Sequence, residues 1–203
     1  MGLFAYGAWH NQSMAYDYLL WNLVLAWLPF ALSLWLVRIL EYKLWSSWEG
    51  LIVSLLWLSF LPNSFYMVSD FIHIQDVQTV DVLYDAVMFT SFIFTSVILG
   101  FSSLYLIHGE FRKRLSARAA GGWVAAVLLL CSFAIYIGRD LRWNSWDIFI
   151  NPTGLLFDLS DRFLHPRNYG QMSLTVISFF VLLTSMYGLV WYATRLLRQK
   201  SNT

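Results

Sequence analysis

Charged residues are scarce in this sequence. Asp, Glu, Lys and Arg make up 12% of its 203 residues, hydrophobic residues make up 59%, and the mean hydropathy is +0.58. A soluble domain needs a largely polar surface, so this composition excludes a soluble globular domain. The net charge of only +1 also excludes a protein that binds nucleic acid through concentrated positive charge.

Cysteine and the common catalytic signatures are few as well. The single cysteine, Cys131, lies within an apolar run, so the chain offers no intrachain disulfide and no thiol-based zinc or redox site. The sequence contains no nucleophile elbow, no His-Glu-x-x-His, no P-loop and no Gly-x-Gly-x-x-Gly. Any chemistry must therefore come from residues that the fold brings together.

The chain is rich in long apolar runs. Five of them are each long enough to cross about 30 Å of hydrocarbon. They cover approximately residues 18–37, 48–66, 82–108, 122–138 and 172–193. We therefore predict one polytopic membrane domain over residues 1–203, with an all-α integral membrane fold that bundles about five transmembrane helices.

Small residues and prolines predict local features of these spans. Pro29 lies near the middle of the first span and predicts a kink there. Pro62 predicts that the regular helix of the second span breaks at Asn63. Ser96 and Gly100 form a small-xxx-small pattern, which is typical of a close contact between membrane helices.

The distribution of Lys and Arg predicts the orientation of the chain. Basic residues follow the first, third and fifth spans, whereas the N-terminal segment and the loop 63–81 contain none. Since short cytoplasmic loops keep an excess of Lys and Arg, we expect an N-terminus outside, a C-terminus in the cytoplasm and a location in the cell membrane. The loop 138–171 then also lies outside, and its four arginines are matched by four aspartates.

The two outer loops carry complementary charge. The stretch GRDLRWNSWDIFINP, residues 138–152, has no Arg and Asp three or four residues apart, so a helix there would not pair its own charges. The loop 63–81 and the start of the third span carry Asp70, Asp76, Asp81 and Asp85 but no Lys or Arg. An unpaired arginine near hydrocarbon is costly. We therefore predict an extracytoplasmic polar cluster that joins these segments.

This polar cluster has a structural and a functional interpretation. In the first, the arginines clamp the two loops together, and the tryptophans lie at the level of the lipid headgroups. In the second, the same groups surround a pocket where an arginine binds a phosphate or carboxylate and an aspartate acts as a base or ligand. The candidates for the catalytic role are Asp70 and Asp85. The candidates for substrate binding are Arg139, Arg142, Asn63, Asn144, Tyr66, Trp143, Trp146 and Asp147.

The histidines give weaker signals. Asp70 and His73 would share one helix face, which is half of a divalent-metal site, but a histidine bonded to a neighbour is the stronger interpretation. No cofactor is specified by the residues. His108, at the end of the third span, is expected to cap a helix terminus. Residues 151–169 are expected to form either a short interfacial amphipathic helix or a lid over the pocket.

Three motifs resemble a known family. They are LPN-x-x-Y-x-x-x-D at 61–70, YD at 84–85 and YIGR-x-LRWNSWD-x-x-x-NP at 136–152. Together they resemble a family of bacterial multi-pass membrane proteins called domain of unknown function thirteen-sixty-one, over most of the chain from Trp21 onward. The resemblance implies a bacterial membrane protein and implies no reaction, substrate or cofactor.

The function that these patterns favour is a membrane-embedded enzyme or binding protein. Its outer pocket would take an anionic envelope precursor or a lipid-linked substrate, and its partners would be the bilayer and such an anionic lipid. Whether it is an enzyme is left open. A non-catalytic assembly or scaffold protein is the alternative, since the aromatic outer loops could dock a partner. A transporter component is less favoured, because the second, fourth and fifth spans carry no charged residue at mid-depth.

Overall fold

The computed structural model describes residues 17–69, 82–141, 150–164 and 170–201. Within these ranges the chain is 94% helical and contains no strand. The helices are α1 (Asp17–Tyr42), α2 (Trp48–Tyr66), α3 (Val82–Arg114), α4 (Ala117–Asp140), α5 (Pro152–Leu164) and α6 (Gly170–Ser201). All except α5 are long and apolar enough to cross a membrane. The predicted all-α membrane fold with five spans is therefore confirmed.

Large apolar side chains are exposed along these helices. Trp35, Leu55 and Phe94 are each more than half exposed. In water such surfaces would be unfavourable, but hydrocarbon solvates them. The protein is thus a multi-pass membrane protein. The chain forms two compact units, Met1–Leu106 and Ile107–Thr203.

The first unit is held together by buried polar side chains. α1 packs along α2. Trp57 of α2 donates from Nε1 to Ser103 Oγ of α3 at 2.7 Å, and Ser103 Oγ donates onward to the Pro29 carbonyl of α1 at 2.9 Å. Since lipid offers no hydrogen bonds, this chain of bonds satisfies its own groups and links all three helices.

Pro62 does not end the second span. α2 continues through Pro62 to Tyr66, so the predicted break at Asn63 is wrong. Proline removes one backbone donor, but a membrane helix tolerates it when neighbouring helices support the backbone. Here the support comes from Ser64, whose Oγ donates to the Ala26 carbonyl, and from Ser96, whose Oγ donates to the Ser64 carbonyl.

The predicted small-residue contact of α3 is confirmed. An ideal Cβ added to Gly100 would lie 2.8 Å from both the Ser64 Cβ and the Phe65 Cε1. Only glycine lets α3 approach α2 this closely. The Phe65 ring is fully buried and packs at 5.1 Å between centroids against Phe101.

In the second unit, α4 packs against α6. α4 begins at Ala117 after Ser116, whose Oγ accepts from the Ala119 N–H at 3.3 Å. The end of α3 carries an ionic cluster in which the buried Glu110 pairs with Lys113 at 2.5 Å and with Arg114 at 2.7 Å. Cations in the last turn of a helix also interact favourably with the helix dipole.

The short helix α5 begins with a side-chain cap. Asn151 Oδ1 accepts from the Gly154 N–H at 3.1 Å, and Pro152 occupies the first helical position. A Cβ on Gly154 would lie 2.6 Å from Asn151 Nδ2, so glycine leaves room for the cap. The sequence NPTG thus encodes the start of this helix.

Replacing Asn151 with alanine is expected to destabilise α5 by about 1 kcal/mol, the usual contribution of an N-cap. Hydrogen exchange of the α5 amides should accelerate several-fold while exchange in α4 is unchanged. Ser160→Ala is the matched control, because the exposed Ser160 only bonds back to the Phe157 carbonyl of the same helix. Equal exchange in Asn151→Ala and wild type would show that the cap does not stabilise α5.

Candidate functional site

The C-terminal end of α2 carries two of the predicted site residues, Asn63 and Tyr66. The last four carbonyls of a helix have no helical partner. Two of these carbonyls are satisfied here, since Ser64 O accepts from Ser96 Oγ at 2.7 Å and Tyr66 O accepts from Ser69 Oγ at 2.6 Å. The backbone at this end of the helix is therefore well supplied with partners.

Asn63 is different, because its amide nitrogen is buried without a partner. Among the described residues, Asn63 Nδ2 has no hydrogen-bond acceptor, and it is the one buried side-chain N or O atom in that state. Leaving a buried donor unsatisfied costs about 1–3 kcal/mol, and such a group in a native protein calls for an explanation. An acceptor supplied by a bound ligand would satisfy it.

Arg139 lies in the last turn of α4, where the sequence places it after the fourth span. Its side chain is 34% exposed, and its Nε is 4.0 Å from Asp140 Oδ1, the only ion pair that it makes within the described ranges. That separation is too long for a hydrogen bond. The guanidinium therefore keeps donors with which it can bind a phosphate or a carboxylate in a bidentate manner.

A second arginine reaches the same helix. Arg162 Nε of α5 donates to the Tyr136 hydroxyl of α4 at 3.1 Å, and Tyr136 is buried. Since Tyr136 and Arg139 are three residues apart on α4, they lie on one face of the helix. α5, whose helical structure was expected, is thus attached to the end of α4 that carries Arg139.

Most of the other predicted site residues lie outside the described residues. These are Asp70, His73, Arg142, Trp143, Asn144, Trp146 and Asp147. Asp85 lies in the first turn of α3, and only its backbone is described. The roles proposed for these residues stay predictions.

One protein family matches most of the chain. The sequence model of one family, described as "Protein of unknown function (DUF1361)", matches residues 21–186. The chain belongs to the DUF1361 family. No match was found among curated proteins or among solved structures. The resemblance that the motifs indicated is therefore confirmed.

The sequence of this DUF1361 member suggests half of a metal site at Asp70 and His73. Both residues lie outside the described ranges, so the half-site stays a prediction. Within the described part of the chain, no group of three or more His, Cys, Asp or Glu side chains could hold a metal ion. Cys131 is buried in α4.

The sequence predicted that His108 of this DUF1361 chain caps a helix end, and this prediction is wrong. α3 continues for six residues beyond it to Arg114. The buried His108 instead shares a hydrogen bond of 2.8 Å between Nδ1 and the Tyr187 hydroxyl, and its ring stacks on Trp191 with centroids 3.9 Å apart. Sequence reasoning missed this cluster because His108 is 79 or more residues away from Tyr187 and Trp191. The four-residue spacing of Tyr187 and Trp191 on the last span was the available signal.

Proposed function

We propose that this DUF1361 protein is a membrane-embedded binding protein or enzyme for an anionic, lipid-linked or envelope substrate. The substrate would bind at the extracytoplasmic ends of the helices. The observation that carries the proposal is the buried donor of Asn63, which has no acceptor among the described residues. An unsatisfied buried polar group in a native protein calls for an explanation, and a bound ligand that supplies an acceptor is one.

The arginine at the end of α4 supports an anionic ligand. Arg139 is partly exposed and has no closer acidic neighbour among the described residues than Asp140 at 4.0 Å. A guanidinium held at a membrane surface is well suited to a phosphate, because two parallel N–H groups match two phosphate oxygens.

The order of the spans supports a location on one side of the membrane. In a five-span chain, the second and fourth spans cross in the same direction. The lack of Lys and Arg in residues 63–81 favours the extracytoplasmic side for that end. In this orientation the N-terminus would lie outside, as the sequence predicts. The proposed location is the cell membrane.

The test is binding of farnesyl phosphate to the full chain purified in detergent, with farnesol as the uncharged probe. We expect Arg139→Gln to weaken farnesyl phosphate binding about tenfold, which is the effect of losing about 1.4 kcal/mol. Arg118→Gln is the matched control, because it removes an exposed arginine from the first turn of α4, at the opposite end of that helix. Binding of farnesol should not change in either variant.

Asn63→Leu separates ligand binding from structural support. Because leucine removes a buried donor that lacks a partner, we expect the variant to be as stable as wild type or more stable by about 1 kcal/mol. Farnesyl phosphate binding should fall at the same time. If both Asn63→Leu and Arg139→Gln instead destabilise the protein in thermal unfolding and leave binding by the folded fraction intact, the residues form a structural clamp.

A further inference from the structure

An open cavity of about 250 Å³ lies within the second unit. Three helices line it, and the lining residues of each helix recur every three or four positions, so each helix contributes one face. α3 contributes His108 and Arg112, α4 contributes the face from Ala117 to Leu128, and α6 contributes the face from Thr184 to Trp191. Neither Asn63 nor Arg139, which carry the proposed function, lines this cavity.

The length of the cavity matches one leaflet of a bilayer. Its lining on α4 extends from Ala117 to Leu128, which are eleven residue steps apart. At about 1.5 Å per residue, this corresponds to about 16 Å along the helix. Half of a hydrocarbon core of about 30 Å is about 15 Å. The lining on α4 is therefore about as long as one leaflet is deep.

Two exposed glycines lie along the cavity. Gly121 of α4 and Gly188 of α6 both line it, and an added Cβ at either position would have no atom within 4 Å. Glycine within a helix costs about 1 kcal/mol relative to alanine. Unlike Gly100, these residues are not required for a close helix contact. Their effect is to leave space that a side chain would occupy.

The end of the cavity at Arg112 is positively charged. The acidic neighbour Glu110 is paired with Lys113 and Arg114, and Arg112 has no ion pair or hydrogen bond among the described residues. Residues 108–118 contain four Lys or Arg and one Glu, which gives 4 − 1 = +3. Ala117, which lines the cavity, begins α4, and the start of a helix is the positive end of its dipole.

The walls of the cavity are otherwise largely apolar. Val124, Ala125 and Leu128 form the α4 side beyond Gly121. On the α6 side, the Tyr187 hydroxyl is hydrogen-bonded to His108 Nδ1. A free phosphate or another small anion would use the charged end alone and leave this apolar length empty.

We propose that this cavity binds one anionic glycerophospholipid. The phosphate lies at Arg112 and the start of α4, and one acyl chain follows Gly121 and Gly188 toward Leu128. The cavity has a positively charged end, and its apolar lining is about as long as one leaflet is deep. These features fit a lipid whose headgroup is an anion. The ligand belongs to the leaflet at which residues 112–118 lie.

The test compares binding of phosphatidylglycerol and phosphatidylcholine with identical acyl chains to the delipidated full chain, by native mass spectrometry. We expect wild type to bind phosphatidylglycerol about tenfold more tightly than phosphatidylcholine. This ratio corresponds to about 1.4 kcal/mol for the extra charge pair with Arg112. Arg112→Gln should bind both lipids with the weaker affinity. Gly188→Leu should lose binding of both, because its side chain fills the cavity.

The controls use neighbouring positions. Gly122→Leu places the same side chain one residue from Gly121, at an exposed site that does not line the cavity, and should bind as wild type does. Arg118→Gln removes a positive charge from the same segment, but Arg118 does not line the cavity. This variant should keep the preference for phosphatidylglycerol. If Gly188→Leu fails to fold, as judged by circular dichroism, Gly121→Leu fills the cavity from α4 instead.

Three results would overturn the proposal. Equal affinity of wild type for the two lipids would show that the cavity does not select an anion. Unchanged phosphatidylglycerol binding in Arg112→Gln and in a folded cavity-filling variant would place the lipid elsewhere. Displacement of bound phosphatidylglycerol by equimolar inorganic phosphate would show that the site binds only the phosphate and that the acyl chain adds no affinity.

Discussion

Replacing Gly100 with leucine is expected to prevent the first unit from folding. Even a single Cβ at this position would lie 2.8 Å from the Ser64 Cβ and from the Phe65 ring. The Ser64 Cβ is attached directly to the α2 backbone, and the Phe65 ring has no free space in which to move because it is fully buried against Phe101. Relief therefore requires that α3 move away from α2, which also breaks the bond between Ser96 and the Ser64 carbonyl.

The smaller change Gly100→Ala gives a measurable intermediate. Overpacking by one methyl group costs about 1–3 kcal/mol, and the upper half of this range is expected where a backbone has to shift. Reversible unfolding by sodium dodecyl sulfate in mixed micelles measures the change in free energy of unfolding. Gly109→Ala is the control on the same helix, since its added Cβ would meet no atom within 4 Å. Equal stability of the two variants would contradict the close contact.

This contact also bears on the proposed site. Gly100 packs on Ser64 and Phe65, which follow Asn63 directly in α2. Gly100→Ala is therefore expected to alter farnesyl phosphate binding as well as stability, whereas Asn63→Leu alters binding without lowering stability. A loss of stability in Gly100→Ala but not in Asn63→Leu distinguishes a residue that positions the site from a residue that binds the ligand.

The sequence was sufficient to predict the features that depend on neighbours along the chain. The five spans follow from apolar runs that match the thickness of a membrane. The contact at Ser96 and Gly100 follows from their four-residue spacing, which places both on one face of α3. The helix at residues 151–169 also forms in part, as α5, because proline and asparagine start it.

The features that depend on distant partners were not predictable. Pro62 suggests a break when it is considered alone, but α2 continues through it, and bonds to Ser96 and to the Ala26 carbonyl support its last turns. His108 suggests a helix cap until Tyr187 and Trp191 are known to face it. In the candidate site, the motif indicated Asn63, but only three-dimensional packing shows that its amide nitrogen is buried without an acceptor.

Replacing Ser103 with alanine is expected to lower the stability of the first unit by about 2 kcal/mol. The hydroxyl of Ser103 makes two buried bonds, accepting from Trp57 Nε1 and donating to the Pro29 carbonyl. Single hydrogen bonds between membrane helices average about 0.6 kcal/mol and reach about 1.7 kcal/mol. Ser103→Ala should exceed the average because it also leaves the buried Trp57 N–H without an acceptor. Unfolding in mixed micelles measures this change.

A double-mutant cycle with Trp57→Phe isolates the cost of the unsatisfied donor. Trp57→Phe removes the N–H, so Ser103→Ala in that background should cost about 1 kcal/mol less than it does in wild type. Ser59→Ala is the matched control and should be nearly neutral, because the Ser59 hydroxyl bonds only to the Leu55 carbonyl of its own helix. Additive effects of Ser103→Ala and Trp57→Phe would show that the bond seen between them does not hold α2 against α3. The stability of this unit would then rest on the packing at Gly100, since the other inter-helix bonds involve serine hydroxyls that can return to their own helices.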